Sequence, residues 1–315
     1  MSVESIFNWG LQTQIAISVL VVSILIIRRS FARAFGAKLA YALWALPLIR
    51  LCMPSIKLPA PIKPMPVFLA KPTPNADIMM TTEAPLVSTP SMIEYTEILP
   101  TALSQNFALI CVSIWLSIAV LWLALQLALQ IKFVKTTRTH ATVPPENIQC
   151  LIDDVRATLN LNREYNVYMA ANNIGPSISG IMRPIIILPH NFETIFNPDQ
   201  QFHALLHEFT HIKRRDLMVA LALLVFRALN WPNPLIHYAA QKCRADLEAA
   251  CDVSVLKAIG HNPGNIQSYA QTLFQAAKSL GANDQNQMNL AFNLVPYFQA
   301  NTPPKGDDYE TFKLW

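Results

Sequence analysis

Residues 98–131 contain no charged side chain, and Lys132, Lys135 and Arg138 close the run. A helix crosses a bilayer with about 20 apolar residues, and a stretch of this length is far longer than the core helix of a modest soluble domain requires. The chain therefore has to be read as a membrane protein before anything else. Composition agrees: of 315 residues, 52% are hydrophobic and only 14% charged, against about a quarter charged in ordinary soluble domains. The net charge of +4 is mild, and the basic residues stand beside the apolar blocks. That placement orients a chain in a membrane and gives no reason to expect direct nucleic-acid binding.

Residues 11–27 form a second uncharged run, followed by Arg28, Arg29 and Arg33 and preceded by Glu4. A signal peptide carries its positive charge before the apolar core, so this is expected to be a retained span with its N-terminus outside. Residues 39–56 read as a weaker span holding Pro47 and Arg50, the arginine lying close enough to the end to snorkel. The divisions expected are two N-terminal spans over 1–53, a proline-rich outer loop over 54–100 and a third span over 101–131. A cytoplasmic globular domain over 132–260 and a C-terminal tail over 261–315 follow. Cys52, Cys111, Cys150, Cys243 and Cys251 include no C-x-x-C pair, and all five read as small buried residues.

Beyond residue 139 the composition becomes mixed and globular. A helix is expected over roughly 146–160, and strands over 165–170 and 181–188, with Gly175-Pro176 and Gly180 as turns. Asn197-Pro198-Asp199-Gln200 reads as a capped helix start leading into Q-F-H-A-L-L-H-E-F-T-H-I-K-R-R. His207 and His211, one turn apart, can reach a single metal ion, and Glu208 beside them is placed to act as a base. His203 lies two turns, about 12 Å, from His211 and is read as structural. Asn233-Pro234 opens another helix, ending near Gly260, on which Arg244, Glu248 and Asp252 share a face. Glu248 is the expected third ligand, and Asp252 can accept the free N–H of a ligating histidine. Without the histidines the same three residues form an ordinary i,i+4 charge ladder. Residues 217–229 are apolar apart from Arg227 but cover only about 20 Å of helix, so they are read as buried or membrane-dipping.

These residues resemble the BlaR/MecR-type antirepressor membrane zinc metallopeptidases, gluzincins that use a downstream Glu as third ligand. The resemblance runs over most of residues 10–260 and rests on A-K-L-A-Y-A-L-W-A-L-P-L-I-R-L, G-P-S-I-S-G-I-M-R-P-I-I-I-L-P, H-E-F-T-H-I-K-R-R-D, W-P-N-P-L-I and R-A-D-L-E-A-A-C-D. It implies a membrane α-helical part of three spans plus a cytoplasmic α+β zincin-like (gluzincin) peptidase domain in a bacterial inner membrane. It also implies one Zn2+ per chain on His207, His211 and Glu248, with Glu208 as general base and Asp252 and Arg244 supporting. His237, Tyr238 and Arg244 are the candidates for further oxyanion donors. The segment at 175–189 looks like the family's hairpin beside the cleft, whose strand can pair with an extended substrate. The tail after Gly260 reads neither as a fourth span nor as a penicillin-binding sensor domain. The expected partners are the lipid bilayer, a protein substrate (a cytoplasmic repressor or the chain itself) and a second copy or a sensor protein. The competing expectation is a non-enzymatic membrane signalling scaffold with a structural or vestigial zinc site.

Overall fold

In the computed structural model, residues 3–53, 98–170, 175–181 and 183–281 are described. The proline-rich loop and the last part of the tail lie outside them. Helix α1 (Val3–Phe35) and helix α4 (Ile98–His140) are both long and apolar enough to cross a membrane, over Ile6–Phe35 and Asn106–His140. Their outward faces carry bare apolar side chains such as Ile15, Val19, Ile26, Ile114 and Val120.

The expected second span is not one helix. The chain forms α2 (Ala37–Ala42) and α3 (Ala45–Cys52), broken at Leu43-Trp44. Pro47 accounts for the break, because its ring clashes with the carbonyl four residues back, that of Leu43, so a helix must restart with Pro47 in its first turn. The pair still runs back along α1, and the Trp9 indole N–H donates to the Met53 carbonyl at 3.3 Å.

The globular part begins with α5 (Glu146–Leu159), whose Ile148, Ile152, Val155 and Leu159 are buried, and Asn160 closes it in the left-handed conformation. Three strands follow, β1 (Asn166–Ala170), β2 (Ser177–Ser179) and β3 (Ile185–Pro189), in the order β1-β3-β2. The parallel pair β1–β3 and the antiparallel hairpin β2–β3 put β3 in the centre. All of β3 is buried, as its I-I-I-L run requires of a strand covered on both faces. Ile186 and Leu188 join the main core with α5 and α7, while Ile185 and Ile187 meet Phe133 and Val134 from the end of α4. The C-terminal part of α4, beyond Lys132, thus roofs the sheet. The strand expected at 181–188 starts later because the hairpin turns at Gly180, where φ is +90° and a Cβ would sit 2.8 Å from the Arg183 carbonyl oxygen.

After the short α6 (Phe192–Ile195) come α7 (Pro198–Arg214), α8 (Asp216–Leu229), α9 (Pro234–Ile259) and α10 (Pro263–Gly281). Helix α7 starts with the expected capping box between Asn197 and Gln200. Helix α10, left in the tail by the sequence reading, packs on α7 and α9. Besides the small cluster under α4, two larger cores occur among the described residues. One joins the sheet, α5, α7, α10, the start of α8 and the distal half of α9, and the other joins α1 to the end of α8 and the proximal half of α9.

Candidate metal centre

Helix α7 buries its H-E-x-x-H turn almost completely: His207 is 6% exposed, Glu208 4% and His211 1%. The two imidazoles present their Nε2 atoms to each other at 3.1 Å with rings nearly perpendicular. Glu248 of α9 faces both, its Oε2 lying 3.4 Å from His207 Nε2 and 3.3 Å from His211 Nε2. Three donor atoms from two helices therefore form a triangle with nearly equal edges.

Each histidine is held from behind. His211 Nδ1 donates to Asp216 Oδ2 at 2.7 Å, and the same carboxylate receives Arg214. The backbone makes this contact through Arg215, which ends α7 in the left-handed region at φ +60° and turns Asp216 back beneath the helix. On the other side the Tyr269 hydroxyl donates to Asp252 Oδ1 at 2.7 Å and accepts from His207 Nδ1 at 2.8 Å. With both Nδ1 atoms so engaged, it is the two Nε2 atoms that face Glu248.

Electrostatics reflect the crowding. Burial opposes charge on both imidazoles, yet Cys251, Asp252 and Glu248 around His207, and Glu248, Cys251 and Asp216 around His211, outweigh it and raise both pKa values well above the usual range. Burial would likewise keep Glu248 neutral, but the two imidazoles hold its carboxyl far below the ordinary carboxylate range. Glu208 behaves oppositely: burial pushes it up to about 7 against the pull of His207 and His211.

The sequence-predicted residues thus meet, with differences in detail. Asp252 supports His207 mainly through Tyr269, its own oxygen lying 3.3 Å from Nδ1. Arg244 lines a small hollow with Glu248, Val219, Ala220, Leu223, Cys243 and Leu247. His237 is bound to Arg227 and the Trp231 carbonyl at the far end of α9, and Tyr238 is exposed beside it. Ten or more residues of helix, about 15 Å, separate both from Glu248, so neither is an oxyanion donor. His203, one turn before His207, is set against Thr272 and Tyr269. The cysteines divide: Cys243 and Cys251 are buried, Cys111 is intermediate, and Cys52 and Cys150 are exposed. Cys251, whose thiol donates to the His207 carbonyl, converges with His207 and His211 to within 4.8 Å. Asp216 and Tyr269 escaped the sequence reading. Asp216 was signalled by an acid directly after R-R at the helix end, whereas nothing local marks Tyr269.

Residues 9–293 match the family model described as BlaR1 peptidase M56. The regulatory protein BlaR1 of Bacillus licheniformis is 36% identical over 84 residues, 27% of this chain and 14% of that protein. The regulatory protein BlaR1 of Staphylococcus aureus is 24% identical over 180 residues, 55% of this chain and 30% of its own length. The methicillin resistance mecR1 protein of Staphylococcus epidermidis is 22% identical over 162 residues, 50% of this chain and 27% of its own. The chain thus spans less than a third of the length of these relatives.

Proposed function

We propose, on the premise that the chain belongs to the BlaR1 peptidase M56 family, that it is a membrane-bound zinc endopeptidase acting at the cytoplasmic face in signal transduction. One observation carries the reading. The edges of the His207–His211–Glu248 triangle are 3.1, 3.3 and 3.4 Å, and a tetrahedral zinc with bonds of about 2.0–2.1 Å has edges of roughly 3.3 Å. His207, His211 and Glu248 would therefore hold the ion. Cys251 is the less favoured third ligand, because its sulfur is engaged with the His207 carbonyl at 3.8 Å. Asp216 and the Tyr269–Asp252 pair fix the tautomers.

Bound zinc would acidify a water and polarise a peptide carbonyl. Glu208, buried beside the two imidazoles, takes the proton of the attacking water and returns it to the leaving amine. A structural zinc site in a signalling scaffold has no use for a buried carboxylate there. Arg244, in the hollow beside Glu248, is positioned to hold substrate. Strand β2 is an edge strand of the sheet, and an extended peptide pairing with it would have to displace what buries Ser177, Ile178 and Ser179. Helices α1 and α4 anchor the domain in the bilayer, with the basic residues at their ends on the cytoplasmic side.

The relatives' names describe regulators, and the substrate assigned here is a transcriptional repressor or the chain itself, with a second copy or a sensor protein as input. The test compares cells carrying the wild type with cells carrying Glu208→Gln, by proteomics of new N-termini together with transcript changes. Cleavage products that depend on Glu208 and lie in cytoplasmic proteins or in this chain are expected; products confined to the outer side would overturn the reading. Metal binding has its own signature. Both imidazoles bind protons above their usual range in the metal-free site, so protons compete with zinc and leave as pH rises. Chelator competition should show tighter zinc at pH 8 than at pH 6, with protons released on binding.

A further inference from the structure

The turn joining α8 to α9 is docked on the middle of α1. Gln14 donates to the Asn230 side chain at 2.8 Å, and Asn233 donates to the Ser18 hydroxyl at 2.8 Å. Between these bonds and the Arg28–Asp246 pair at 2.6 Å, the helices are joined by a continuous apolar seam. Ile17, Val21 and Ile24 of α1 pack there with Leu223 and Phe226 of α8 and Ile236, Ala239 and Ala240 of α9.

Two helices measure the depth of this turn independently. Gln14 lies fourteen residues from Arg28, the first of the basic residues ending the α1 span, which is about 21 Å of helix. On α4, Trp122 stacks on the Arg227 guanidinium at 5.3 Å. Trp122 lies ten residues from Lys132, about 15 Å. Arg227 precedes Asn230 by three residues, about 4.5 Å along α8, so the two measures agree within a few ångströms. A hydrocarbon core is about 30 Å thick, so both lengths end well inside it, about two-thirds of the way across from the basic border.

From this agreement we infer that α8 and the first half of α9 form a re-entrant hairpin, whose polar tip at residues 230–233 sits deep in the hydrocarbon core, about 20 Å from the basic border, against α1. The inference rests on reading α1 and α4 as membrane spans. Its partner is lipid hydrocarbon, which meets Met218, Pro232 and Tyr238 on the outer side of the hairpin. Irregular backbone is tolerated at that depth when protein satisfies it. Here the Asn230 amide donates to the Phe226 carbonyl, the Asn233 N–H to the Asn230 carbonyl and the Leu235 N–H to Asn233 Oδ1, while Gln14 and Ser18 hold the two asparagine side chains. Asp246 at the basic border lies two residues before Glu248 on α9, so the metal centre stands at the membrane surface.

The test is spin labelling of the full chain in phosphatidylcholine–phosphatidylglycerol vesicles. Cys52, Cys111 and Cys150 are replaced by serine, and the buried Cys243 and Cys251 are kept. Labels go at Pro232→Cys, at Val120→Cys on the bare face of α4, and at Lys257→Cys on the exposed distal part of α9. Relaxation by oxygen and by a water-soluble nickel chelate is compared at each site. The oxygen-to-nickel ratio at 232 should match that at 120 and exceed that at 257 several-fold. A ratio at 232 like that at 257, with 120 still oxygen-favoured, would overturn the hairpin and leave the spans standing. A nickel-favoured 120 would overturn the membrane reading and the hairpin with it. Pro234→Cys, exposed two residues further on, repeats the measurement if the 232 variant aggregates.

Discussion

Replacing Glu208 by alanine should leave about one zinc per chain while peptide cleavage falls by about 10²–10⁴-fold, the usual share of a positioned acid–base group. Glu208 is buried beside the two imidazoles but is not a corner of the donor triangle, so on the proposed mechanism its loss removes a proton carrier and not a ligand. His207→Ala and Glu248→Ala should lose metal and cleavage together, read by elemental analysis of purified protein alongside a peptide assay. Cys251→Ser should keep both. Zinc retained in Glu248→Ala but lost in Cys251→Ser would transfer the third ligand to the thiol. Asp246 is not a rival, because Arg28 and Trp44 occupy both of its oxygens.

Asp216→Ala should be among the most damaging substitutions outside the donor triangle. Its carboxylate is 2% exposed and joins His211 at 2.7 Å to Arg214 at 3.1 Å. Removing one partner of a buried ionic cluster typically costs about 3–5 kcal/mol, because the remaining charges are left desolvated. The same change frees the His211 ring to rotate, and losing such a support lowers metal affinity by about 10–100-fold. Denaturant titration in detergent and chelator competition measure the two effects separately. Asp216→Asn should recover part of the affinity, since an amide oxygen still accepts from Nδ1, but not the pairing with Arg214. Unchanged zinc affinity in Asp216→Ala would remove it from the support of His211.

Much of this was legible from local pattern. The capping box, the i,i+4 histidines and the Glu248 face of α9 are set by helix periodicity, which a sequence displays directly. The uncharged runs likewise marked α1 and α4. What escaped depends on contacts between distant segments. Tyr269 lies 62 residues from His207, and its role arises only when α10 folds back across α7. The three-residue strand β2 is shorter than the alternation needed to detect it. The break between α2 and α3 follows from one proline acting on a carbonyl four residues earlier, an effect that hydropathy averages away. The exposed Cys52 and Cys150 show that composition alone does not fix burial.

Helix α9 belongs to both cores, giving Ile236, Ala239, Ala240 and Cys243 to one and Leu247, Cys251 and Val255 to the other. Glu248 stands at the crossover, with no hinge residue between the halves. The two layers are therefore one cooperative unit and not a domain on a tether. Thermal melting should show a single transition to which chelation and delipidation both contribute. On the proposed reading, a detergent that loosens the seam along α1 should weaken metal binding at a centre it never touches, so inactivity after solubilisation would report on the choice of amphiphile before it reports on the site.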